Sequence, residues 1–268
     1  MAPPRSGEPD TGIDETADWQ RRVVGRSLRG ATERSIDRGG TLIRCAAALL
    51  ERSNGDGFTV QDVADEAGQS LRTLYQYFES KDDLLLAVFE EAMRTYARAV
   101  RKAIVDLDDP LERLGGAIVA SLRMPEFSGT GVDRGLARLR LKLGEVEPEL
   151  VARAQEPVTM LMRDLVEGAV ASGKIHPVDP EEATYIVMAL KSAFITGQTL
   201  ANDFGVRMPS LFTLAAFCLE GLGARHDDAW FLSINERLRM PKRKLAFGTA
   251  TNGKGPARRN GPRSAASA

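Results

Sequence analysis

The chain has 268 residues, 43% of them hydrophobic and 6% aromatic, enough apolar side chain for one large or two ordinary domains. A net charge of −1 excludes a polycation, so any attraction to nucleic acid has to be local. No apolar run approaches the ~20 residues that span a bilayer, and the opening MAPPRSGEPDTGIDETADWQ carries no apolar signal core, which predicts a cytoplasmic protein.

Residues 1–37 predict a disordered arm, first acidic and rich in Pro and Gly, then basic. From Arg21 to Arg44 there are seven arginines against Glu33 and Asp37. Residues 38–84 follow as the first folded unit. Within it Val60, Val63, Ala64 and Ala67 fall at i, i+3, i+4 and i+7, one apolar helical face. Thr59 stands before them as a cap. Gly68 permits a turn that other residues resist, and Ser70 caps a second short helix. There Leu71, Leu74 and Phe78 point inward. At about 100° per residue Arg72, Thr73 and Gln76 point outward, with Tyr75 and Tyr77 on the flanks. Tyr75 is only about 40° from Leu71, so part of its ring is expected in the core. Two short helices crossing at a glycine, the second with polar groups on its outer face, form a helix-turn-helix suited to a DNA major groove.

The segment AGQSLRTLYQYFESKDDLLLAV resembles the tetracycline-repressor (TetR) family at Gly68, Ser70, Thr73, Tyr75, Phe78, Lys81, Leu84 and Leu85. The preceding TLIRCAAALL and the Gly57-Phe58-Thr59-Val60 run fit the same pattern, and the detailed match covers roughly residues 38–95. The resemblance implies DNA contacts at Thr73, Tyr75, Tyr77 and Lys81. It also implies a dimer closed by the last two long helices, and a regulatory body that holds a small molecule.

From the residues themselves, Arg72 and Gln76 suit base edges: Arg for guanine O6/N7, Gln for adenine N6/N7. Thr59, Gln69, Ser70 and Lys81 complete the DNA-contacting set, the two caps and the first-turn cation serving phosphates. Between Glu51 and Lys81 there are three cations and six acids. Phosphate neutralisation supplies most non-specific affinity, so Arg21, Arg22, Arg26 and Arg29 in the arm are candidates to supply what the helix-turn-helix lacks. A merely solvated extension is the alternative.

Residues 85–240 read as a helical regulatory and dimerisation domain. Ser80 opens a helix to about residue 105, and Asp109-Pro110 opens one from Leu111 to Leu122. The Gly- and Pro-containing stretch 124–133 predicts a loop. Helices follow around 134–143 and 148–172, the second broken or kinked at Pro157. Asp179-Pro180-Glu181-Glu182 starts a helix to about residue 202, Pro209-Ser210 starts another, and a short one near 230–239 closes the series. No alternating strand pattern of convincing length occurs, so the fold class is all-α. The tail 241–268 is basic and disordered by composition: after Glu236 come nine Lys or Arg and no acid.

Helices near 180–202 and 209–222 are the candidate dimer seam, with Tyr185, Met188, Ala189, Ser192, Ala193, Thr196 and Gly197 giving a packable face. Met124, Phe127, Leu139, Leu143, Leu161, Met162, Leu165, Met188 and Phe194 are candidates to line a pocket for a small hydrophobic effector, although such residues at helical spacing also fill cores. His176 and His226, beside turn residues, and Cys45 and Cys218, in apolar helical runs, form no metal-binding pattern. No phosphate-binding or dinucleotide loop occurs. No metal, cofactor or enzymatic site is expected.

The combined reading is a homodimeric repressor on a palindromic double-stranded DNA operator, nucleoid-associated when bound and released by an apolar ligand. A constitutive or partner-controlled DNA-binding regulator is the alternative.

Overall fold

The computed structural model describes residues 18–26, 32–53, 57–128, 130–199 and 207–240. Eleven helices occupy them: α1 (Asp18–Arg26), α2 (Thr32–Arg52), α3 (Val60–Glu66), α4 (Leu71–Tyr77), α5 (Lys81–Ala103), α6 (Pro110–Ser128), α7 (Thr130–Val146), α8 (Pro148–Ala171), α9 (Pro180–Thr199), α10 (Leu211–Gly221) and α11 (Asp228–Arg237). The fold is all-α. None of the described helices is long and apolar enough to cross a membrane.

Local chemistry accounts for many of the boundaries. Asp109 Oδ1 accepts from the N–H groups of Leu111 and Glu112, at 2.9 and 3.1 Å. Asp179 does the same for Glu181 and Glu182, at 2.8 and 3.0 Å. Ser80, Ser210 and Asp227 cap α5, α10 and α11. Each cap satisfies N–H groups that a helix start leaves without an internal partner.

Two stretches differ from what the sequence predicts, and at a third one of two expected outcomes is ruled out. Residues 18–26, expected in a disordered arm, form α1, and α2 begins at Thr32. The expected loop at 124–133 is largely taken up by helix, because α6 runs to Ser128 and α7 starts at Thr130. Pro157 lies inside α8 without ending it, so the expected break does not occur. At α1 tertiary packing decides the outcome: Trp19 and Val23 are buried in the head cluster, which overrides the polar composition around them. The tail 241–268 lies outside the described residues.

Two apolar clusters organise the molecule. A head cluster joins α1 to α4 and the first half of α5 through Trp19, Val23, Leu42, Val63, Leu74, Phe78, Leu84 and Val88. Leu139 and Leu143 of α7 and Val151 and Ala154 of α8 belong to that same cluster. A body cluster joins the rest of α5 to α6, α8, α9, α10 and α11. Helix α5 therefore runs through both, and α7 lies along the head.

Candidate nucleic-acid interface

The turn between α3 and α4 is built by two backbone hydrogen bonds. Gly68 N–H donates to Asp65 C=O at 3.1 Å, and Gln69 N–H donates to Ala64 C=O at 2.9 Å. This paired closure places the glycine in the left-handed region, at φ 63°. At the start of α3 a reciprocal box forms: Asp62 N–H donates to Thr59 Oγ1 at 3.2 Å, and Thr59 N–H donates to Asp62 Oδ2 at 2.6 Å. That backbone donor holds the Asp62 carboxyl below its ordinary value. The Thr59 hydroxyl also donates to Asp62, at 2.8 Å. Its proton is thus engaged inside the box rather than offered to a phosphate.

Ser70 caps α4 by accepting from Thr73 N–H at 3.1 Å, and the two hydroxyls share a 2.8 Å hydrogen bond. One shared bond uses one hydroxyl proton, so the pair retains one to donate. Arg72 and Gln76 are exposed, and Thr73 is half-buried. Tyr75 is 49% exposed, more open than its wheel position predicts. Leu74 and Phe78 are buried beneath this row, whereas Leu71 is half-buried.

Tyr77 departs from expectation. Only 6% exposed, it sits in the head cluster with Trp19 and Val23. The cause is α1: Gly39 of α2 has Trp19 and Tyr77 both close to where a Cβ would stand, at 3.3 and 3.8 Å. Helix α4 is therefore packed on two sides, and its flanking tyrosines are not equivalent.

Lys81 Nζ donates to the Phe58 carbonyl and stands 4.5 Å from the centre of the Phe58 ring, tying the start of α5 to the residue before the α3 cap. An ammonium has three donors, so this tether leaves capacity for a phosphate. Gln69 Nε2 donates to Arg38 C=O at 3.4 Å, linking the turn to α2.

Arg21 and Arg22 are not arranged as a free arm. Arg22 turns inward to Glu90, at 3.0 Å, and Asp83, at 3.4 Å. Glu90 is 5% exposed and also accepts from Trp19 N–H at 2.9 Å. Burial pushes its carboxyl above the ordinary value despite the opposing pull of Arg22. Arg21 pairs with Asp18. The Arg26 side chain and Arg29 lie outside the described residues. Trp19 and Val23, four apart on either side of Arg21 and Arg22, were the available signal for this helix.

The expected pocket residues do not converge either. Leu139 and Leu143 belong to the head cluster, whereas Leu161, Met162, Leu165 and Phe194 are buried in the body, with Met188 packed against it. The side chains of Met124 and Phe127 lie outside the described residues. Apolar periodicity marks a buried face without saying which core it joins. A separate open cavity of about 480 Å³ is lined by Asp109, Glu112, Lys174, Arg225 and Trp230 among others, and by none of the expected residues. Both cysteines are free thiols, and burial raises the Cys218 thiol to about 11.

Residues 42–88 match the family model for bacterial regulatory proteins of the tetR family. The HTH-type transcriptional regulator HbdR of Aromatoleum sp. (strain CIB) is 32% identical over 190 residues, covering 68% of this chain and 76% of that protein. The chain belongs to the TetR family. The matched segment is that family's helix-turn-helix, built by α3 and α4. The HTH-type transcriptional activator FasR of Mycolicibacterium smegmatis is 30% identical over 112 residues, 42% of this chain and 51% of that one. The chain thus spans about half the length of relatives such as FasR. Among solved structures, RolR in complex with resorcinol superposes with a TM-score of 0.58 at 22% identity, covering 80% of this chain and 99% of that one. The fatty acid degradation regulator FadR of Bacillus halodurans gives 0.54 at 20% identity, covering 68% and 98%. Both likenesses concern the fold.

Proposed function

We propose that this TetR-family regulator is a homodimeric repressor that binds a palindromic operator and releases it when a small molecule enters the body. It acts on DNA in the cytoplasm and catalyses no reaction. In this reading Arg72, Tyr75 and Gln76 touch base edges, while Ser70, Thr73 and Lys81 hold phosphates.

The observation that carries the reading is the outward face of α9 and α10. Tyr185 is 75% exposed, Ile186 and Phe217 are also open, and Ala189 and Ala193 continue the same side of α9. A contiguous apolar face on a soluble monomer marks an interaction surface. Two-fold pairing through it doubles the number of base pairs read and matches a palindrome. The route from body to head is covalent and packed: α5 runs through both clusters, and Leu139 and Leu143 bring α7 into the head. RolR, of like fold, was solved with resorcinol, which supports a ligand-responsive body here.

The test is a charge in the seam. Ala189→Glu or Ala193→Glu should yield monomers in sedimentation at micromolar concentration, with unchanged helical circular dichroism and no measurable operator binding. An unmodified protein that sediments as a monomer refutes the dimer.

A further inference from the structure

The inward stripe of α9 contains a cation among apolar neighbours. Lys191 is 5% exposed, and its Nζ has no hydrogen-bond acceptor among the described residues. It lies 5.2 Å from the centre of the Tyr96 ring. The Tyr96 hydroxyl donates to Ser121 C=O at 2.8 Å, which holds that ring in place on α5. Four residues before Lys191 and three after it, Val187 and Phe194 are buried. Thr184, two turns earlier on the same face, is also buried, and its Oγ1 has no partner among the described residues.

Burial lowers the Lys191 ammonium to about 8, with no carboxylate among the described residues to offset it. A buried charge without a counter-charge is destabilising, and an apolar residue of similar volume would avoid the cost. In the head the rule is kept: Arg22 enters the interior with Glu90 and Asp83 beside it.

We infer that the body binds an organic anion, a monocarboxylate with an apolar remainder, and that Lys191 Nζ supplies its counter-charge while the apolar flank of α9 takes the remainder. One ammonium balances one negative charge, so a dianion such as a phosphate monoester would carry the imbalance back into the apolar interior. Thr184 offers a neutral polar contact further along the same face. This inference rests on the ligand-responsive reading above and gives that ligand a chemical class.

The experiment uses the full chain with octanoate and benzoate, and with their methyl esters as neutral counterparts, by thermal shift and calorimetric titration. The unmodified protein should be stabilised by a carboxylate and bind it about tenfold or more tightly than its ester, the difference one charge-assisted contact makes. Lys191→Met should melt no lower than the unmodified protein without ligand and lose that preference. Lys191→Gln, which keeps polarity without charge, should lose it too and serves if the methionine variant misfolds. Equal carboxylate binding with and without the Lys191 charge overturns the inference, and so does a lack of carboxylate binding to the unmodified protein. If an ester binds and releases operator DNA while the carboxylates do not bind, this inference falls and the ligand-responsive reading stands. If a carboxylate binds through Lys191 but leaves the operator bound, the inference stands and release by ligand falls.

Discussion

Two charged residues, each 5% exposed, separate the head of this regulator from its body. Glu90, at the junction of α5 with α1, holds the Arg22 guanidinium at 3.0 Å and the Trp19 N–H at 2.9 Å. Lys191, in the body, faces the Tyr96 ring and has no acidic partner among the described residues. The head thus resolves its buried charge internally and stands ready to present one polar row to DNA. The body carries an electrostatic deficit that a partner of opposite sign would remove. Under the proposed function, the part that reads DNA has its buried charge paired from within, and the part that responds has a charge left to pair.

The largest expected effect lies in the head. Trp19→Ala removes a buried indole that packs α1 against Tyr77 and Gly39, and should cost about 3–5 kcal/mol in denaturant unfolding. A cost near zero would mean that α1 is a loose extension, and the contrast with the body would disappear.

Next is the body. Replacing Lys191 with Met should stabilise the ligand-free protein by about 3 kcal/mol at neutral pH. The sign follows from linkage: the ammonium is lowered to about 8 in the folded protein from an ordinary 10.5. Below 8 both states are charged and the folded state bears the full cost. Between the two values the unfolded chain binds more protons, so the unmodified protein gains stability as pH rises. The gap between variant and parent should therefore be constant below pH 8 and close towards 10.5, as thermal melts across that range would record. A gap independent of pH would place the Lys191 cost in packing rather than in charge.

A smaller effect sharpens the view of the head as locally specified. Thr59→Ala should cost about 1 kcal/mol by removing one half of the α3 box. The Asp62 carboxyl is held low by that box, so its share of stability is present at neutral pH and lost as pH falls through the acid range. The variant keeps the backbone donor to Asp62 and loses only the hydroxyl's bond, so its acid-side loss in melts should shrink without vanishing. A variant with the parent's full acid-side loss would show that the hydroxyl takes no part in it.

How much of this was legible in the sequence follows the same division. The helix-turn-helix depends on contacts a few residues apart, so Thr59, Gly68 and Ser70 announced its caps and turn directly. Tyr77 was misplaced because a helical wheel assigns one buried side, and the second side comes from Trp19, nearly sixty positions away. The same long-range contact concealed α1. In the body, apolar spacing identified buried faces, but not that Leu139 and Leu143 join the head. Lys191 is one of eight lysines in the chain and belongs to no motif. Its signal was present all the same: a cation four residues after Val187 and three before Phe194, in the middle of an apolar stripe.

The central claim is that Arg72, Tyr75 and Gln76 form the row that reads DNA, while Tyr77 supports it from beneath. Selection of preferred operators from random DNA by the unmodified protein, Gln76→Ala and Tyr77→Phe tests this most directly. Gln76→Ala should lose its preference at one base pair in each half-site, at about 1–3 kcal/mol, and Tyr77→Phe should select the parent's sequence. A Gln76→Ala protein with the parent's affinity and sequence preference would contradict the account.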